Sequence, residues 1–136
     1  SARSPLWRGG GIIFGPQPRT RTLDVTKTTK QQVFRSLLWK YLDTKNVFNL
    51  QWDPAESGPK TAIAFNALKQ AGLNDKKIVM FVSAHDFNTH ASFSNLPNVQ
   101  MLLFDQPNAY HLSDGHCWVF LNKDAEAFKG MVSSWI

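Results

Sequence analysis

The sequence has 136 residues, of which 43% are hydrophobic and 18% charged, which fits one domain with a real core and leaves little room for two. Its longest apolar runs, 78–82 and 117–121, fall far short of the roughly 20 residues of a membrane helix, and its single cysteine, Cys117, excludes a disulfide framework. The net charge of +5 is uneven: residues 1–45 carry +7, with all five arginines in the first 35 positions, while residues 46–136 carry −2.

Residue 1 is Ser and no secretory leader pattern opens the sequence, so it is expected to be processed, split from a larger protein or only partly present. Residues 1–25 hold three prolines and four glycines, which forbid a helix through them. Leu6, Trp7, Ile12, Ile13 and Phe14 are nevertheless too apolar for a plain linker. This composition predicts an extended basic Gly/Pro/Arg arm that orders against something else. A basic end on a mildly acidic body points to a polyanionic partner, and arginine's planar fork suits phosphate better than solubility alone requires. The alternative is a solvated basic tail.

From Thr26, Val33, Leu37, Leu38, Tyr41 and Leu42 recur at helical spacing, which predicts a helix over about 27–43 capped by Thr26. Four apolar runs follow, at about 46–51, 77–82, 99–104 and 117–121. Several are continuous rather than alternating, as in strands buried on both faces of a parallel sheet. Helical segments separate them. One is opened by Gly58-Pro59, closed by Gly72, and has Ala62, Phe65, Ala67 and Leu68 as its apolar side. A weaker one covers about 86–95 after Asp86, and a short turn occupies 108–113. Asn122 caps the last, whose buried side is Ala125, Phe128, Val132 and Trp135. The alternation predicts an α/β three-layer sandwich with a mostly parallel four-stranded sheet. The arm is residues 1–25 and the globular domain residues 26–136.

Gly9-Gly10-Gly11 is neither a phosphate loop, since no Gly-Lys-Ser/Thr follows, nor a dinucleotide fingerprint, since no apolar strand precedes it. Beside Arg8, Arg19 and Arg21 these glycines offer a backbone able to lie against a nucleic-acid strand, or else a flexible hinge. Trp7 and Phe14 either stack on unpaired bases or dock on the protein's own core. The expected RNA-binding set is Arg3, Ser4, Trp7, Arg8, Gly9, Gly10, Gly11, Phe14, Arg19, Arg21, Lys27 and Lys30. His85 and His116 fall at opposite edges of a parallel sheet, which argues against a metal site. No cofactor and no catalytic residue is expected. The rival reading is an α/β nucleotide- or sugar-phosphate-binding enzyme with a basic tail, using Asp53, Glu56, His85, Asp86 and Asp105 at the carboxyl ends of the strands.

Ser4-Pro5-Leu6-Trp7-Arg8-Gly9-Gly10-Gly11 and Gly15-Pro16-Gln17-Pro18-Arg19 together resemble the signature segment of the bacterial-type large-subunit ribosomal protein L-four family. Arg35-Ser36-Leu37-Leu38, Asn95-Leu96-Pro97-Asn98-Val99 and Asn108-Ala109-Tyr110-His111-Leu112 are similar to later family segments and occur in the same order. The resemblance implies a structural, rRNA-binding constituent of the large ribosomal subunit, with neighbouring ribosomal proteins as partners. It also implies a long loop near the peptide exit tunnel, of which residues 1–18 are the returning limb. The family's N-terminal strand and outbound limb have no counterpart in this sequence, so a separate chain is one expected source of that half. Gln17 stands where the family usually has Lys, Asp24 to Gln32 is less basic than usual, and Trp39, Trp52, Trp118 and Trp135 are unusual. This divergence points to a mitochondrial ribosome, with the bacterial cytoplasm or a plastid as alternatives.

Overall fold

A computed structural model describes residues 2–53 and 58–136. The first regular element, α1 (Lys27–Asp43), begins where Thr26 turns its hydroxyl onto the Thr29 amide, satisfying one of the unpaired donors of the first turn. It ends at Asp43, and Lys45, at a φ of 55°, turns the chain into β1 (Val47–Leu50). Then follow α2 (Thr61–Gln70), β2 (Ile78–Val82), α3 (Phe87–Phe93), β3 (Val99–Leu103), α4 (Ala109–Asp114) and β4 (Cys117–Leu121). A 3-10 turn over Asn122–Asp124 leads into α5 (Ala125–Ser133).

The four strands form one sheet in the order β1-β4-β2-β3, with every pairing parallel. The sheet is thus wholly rather than mostly parallel. The continuous runs mark the centre: all five residues of β2 and four of the five of β4 are buried. The edge strands β1 and β3 are only half covered, so the two-sided burial read from their composition holds for the centre alone.

Helices cover both faces, giving three layers. On one side Ala64 and Leu68 of α2 and Phe93 of α3 pack on Ile78, Met80, Val82, Cys117, Val119 and Leu121. Burial raises the Cys117 thiol above its usual range, so this cysteine behaves as a small hydrophobe. On the other side α1, α4 and α5 enclose an aromatic cluster. Tyr41 stacks on Trp118 with ring centres 4.4 Å apart, Phe120 stacks on Phe128 at 4.5 Å, and Phe34 stacks on Trp135 at 5.0 Å. The polar ends of the Tyr41–Trp118 pair are satisfied: Tyr41 donates its hydroxyl to the Gly115 carbonyl, and the Trp118 indole donates to the Leu112 carbonyl at 3.1 Å.

Several faces differ from expectation. On α1, Val33 and Leu42 are exposed, and Phe34 with Leu37 joins Leu38 and Tyr41 inward. On α2, Ala62 and Phe65 point out, and Ala64 takes their place beside Ala67 and Leu68. That helix starts after Lys60, two residues beyond the Gly58-Pro59 opening, and closes as expected near Gly72 at φ +69°. Asn122 does not cap the last helix; it opens the 3-10 turn and its side-chain oxygen accepts from Asn49. Met131, rather than Ala125, completes the buried side of α5.

Candidate nucleic-acid interface

Residues 2–26 contain no helix and no strand. They are not extended throughout: residues 3–11 fold back on themselves. The Trp7 amide donates to the Ser4 carbonyl at 3.0 Å, Gly10 to Trp7 at 2.9 Å, and Gly11 to Arg3 at 3.1 Å, closing a compact double turn. Two glycines make it possible. Gly9 sits at φ +79°, where a side chain would be strained, and a Cβ on Gly10 would lie 1.9 Å from the Ser4 carbonyl oxygen. Glycine is therefore required at these two positions by the chain's own path.

The turn presents its side chains outward. Arg3, Trp7, Arg8, Phe14, Arg19, Arg21, Lys27 and Lys30 are all exposed, as are Gly9 and Gly11, while Ser4 and Gly10 are half-buried. Trp7 is 68% and Phe14 94% exposed, so neither docks on the core. Among the described residues two ion pairs occur, Lys77–Asp114 and Lys123–Asp86, and neither uses a cation of residues 2–45. Among the described residues the cations of this end thus make no ion pair. Its base meets the body in a cleft where Val25, Lys30, Val33 and Phe34 face Pro107 and Asn108.

Two exposed residues of α1 lie outside the expected RNA-binding set. Arg35 and Trp39, four positions apart, share the outer face of α1 with Gln32 and Ser36. The signal was present as a second stripe at helical spacing, opposite the apolar one.

Of the rival, enzymic constellation, Asp86 and Asp105 line different clefts. Asp86 is committed structurally: it accepts from the Thr89 amide as the cap of α3 and pairs with Lys123. Burial pushes its carboxyl up, but the hydrogen bonds from Lys123 and Thr89 outweigh that and hold it below the usual carboxylate range. Asp53 and His85 are exposed, Asp105 lines a shallow cleft with Phe104 and Trp135, and Glu56 lies outside the described residues. Among the described residues no three His, Cys, Asp or Glu side chains converge as a metal site would require, and no helix is long and apolar enough to cross a membrane.

The model of the ribosomal protein L4/L1 family matches residues 1–131, from the glycine turn to α5. The chain belongs to this family. Among L4 relatives, it is 35% identical to the large ribosomal subunit protein uL4 of Halothermothrix orenii over 119 residues, 88% of this chain and 56% of that protein. It is 35% identical to the large ribosomal subunit protein uL4c of Pyropia yezoensis over 138 aligned positions, 96% of this chain and 63% of that protein. With uL4 of Thermotoga petrophila it shares 38% identity over 112 residues, 79% of this chain and 47% of the relative. The chain therefore spans about half to two-thirds of the length of these L4 relatives.

Proposed function

We propose that this chain is a non-catalytic constituent of the large ribosomal subunit that binds rRNA through its basic N-terminal segment. The observation that carries this reading is a segment rich in exposed cations, with no acid partners among the described residues, in a chain of the L4/L1 family. Arg3, Arg8, Arg19, Arg21, Lys27 and Lys30 neutralise phosphates. Trp7 and Phe14, both exposed, stack on or wedge between bases. The double turn of residues 3–11 holds Arg3, Trp7 and Arg8 together at the far end of the segment, as a structure near the peptide exit tunnel would use them. Neighbouring ribosomal proteins are its protein partners. The tryptophan-rich, less basic sequence favours a mitochondrial ribosome over a bacterial or plastid one, and sedimentation of the chain with the large subunit of isolated mitochondria tests that assignment.

The binding reading is tested by titrating the chain with large-subunit rRNA over a range of KCl. Six phosphate contacts give a slope of log affinity against log salt of roughly −4 to −5. Arg8→Ala weakens binding and flattens the slope by about one contact without lowering the melting temperature of the body. Salt-independent binding defeats the reading.

A further inference from the structure

We propose that the outer face of α1, carrying Arg35 and Trp39, is a second RNA contact on the globular body, where Trp39 stacks on an unpaired base and Arg35 holds a neighbouring phosphate. This rests on the reading of the chain as an rRNA-binding protein and extends it beyond the N-terminal segment.

Four tryptophans lie in the body. Trp52, Trp118 and Trp135 are 6%, 0% and 5% exposed, whereas Trp39 is 60% exposed. Most of its large apolar surface is left in water on a helix whose inward face is already filled by Phe34, Leu37, Leu38 and Tyr41. Its neighbours one turn back, Arg35 and Ser36, are polar, and one turn on lie the exposed Leu42 and Asp43. An exposed ring beside an arginine is what base stacking uses, since the ring takes the base's face and the guanidinium takes phosphate. The charge is complementary as well. Along α1, Lys27, Lys30, Arg35 and Lys40 oppose a single carboxylate, Asp43, at the far end, and none of these cations is ion-paired among the described residues. The helix also continues directly from the basic segment through its Thr26 cap, so one RNA can run from one to the other. Lys27 and Trp39 are separated by about 18 Å of helix axis.

An apolar groove along the flank of the same helix, lined by Leu38, Leu42, Phe128 and Val132, would suit a protein neighbour instead. The two occupants separate experimentally. The probe is a fluorescein-labelled 28-nucleotide RNA hairpin with two unpaired adenines, titrated by anisotropy with the whole chain between 50 and 300 mM KCl. Trp39→Ala is expected to weaken binding about 5- to 100-fold, the range for one stacked base, with the salt slope unchanged. Trp39→Phe restores most of the affinity, and Arg35→Ala reduces the slope by about 0.7–0.9. Because both side chains lie outside the core, thermal melting of all three variants matches the parent. If Trp39→Ala and Arg35→Ala bind as the parent does while Arg8→Ala binds less well, the face of α1 is not an RNA contact and the N-terminal one stands. If Arg8→Ala is also without effect, the rRNA reading falls with it. Equal losses for Trp39→Ala and Trp39→Phe overturn stacking, and release of a neighbouring protein from purified subunits by Trp39→Ala with hairpin affinity intact assigns the face to that protein.

Discussion

Asp86 and Asp124 sit at the carboxyl ends of adjacent central strands and respond oppositely to their surroundings. Lys123 and Thr89 hold the Asp86 carboxyl below its usual range despite burial, whereas burial raises Asp124, with Lys123 opposing and Asp86 adding to the rise. A depressed carboxylate adds stability above its unfolded value, near 3.8, and that share is lost as pH falls through the folded value. A raised one works the other way, costing stability once pH exceeds the unfolded value. Thermal melts between pH 2 and 7 should therefore show Asp86→Asn less stable than the parent at neutral pH, with the gap closing in acid. Asp124→Asn should be more stable than the parent at neutral pH, with its gain vanishing below about pH 3.8. Asp86→Ala also removes the α3 cap and should cost about 0.5–2 kcal/mol at neutral pH. Equal melting of all four proteins at pH 7 would contradict this account. None of this pairing was visible in the sequence, where Asp86 and Lys123 are 37 positions apart. The reason for glycine at position 10 was equally hidden, since it lies in a carbonyl six residues upstream.

The elements themselves were more legible, in proportion to how completely each is surrounded. β2 and β4 have a helix layer on both faces and a strand on both sides, so nothing but apolar side chains fits and the runs announce themselves. α1 was found with its boundaries intact, yet its inward face was misjudged. Its apolar positions extend around more of the helix than the sheet can cover, and only the seating between α4 and α5 decides that Phe34 turns in while Val33 and Leu42 turn out. The candidate interface was legible as composition, because cations among glycines and prolines need no fold to be noticed. Arg35 and Trp39 were overlooked because a helix read for its core discards its other side. Native-state amide exchange should rank the strands by this same coverage. Amides of Val79 to Phe81 and Trp118 to Phe120 should exchange only through global unfolding, and those of β1 faster by at least tenfold. Uniform protection across the sheet would show that the edges are held by something beyond their single neighbour.

For the whole molecule, the division between a binding segment and a folded body is a proposal with a direct test. Among the described residues none before Phe34 belongs to either core cluster, so a chain of residues 26–136 should melt within about 2 °C of the full one. It should lose most of its RNA affinity. A melting point lower by ten degrees would mean that residues 2–25 brace the body. The strand order has a consequence for how such a body comes into being. β4 lies between β1 and β2, which never bond to each other. During synthesis β2 and β3 can pair early, but β1 has no partner until residues 117–121 have been made. A chain halted before Cys117 holds one strand pair, one orphan strand and an aromatic layer lacking Trp118. The sheet is completed by insertion at its centre rather than growth at its edge, so the basic segment leaves the synthesising ribosome well before the domain that carries it exists.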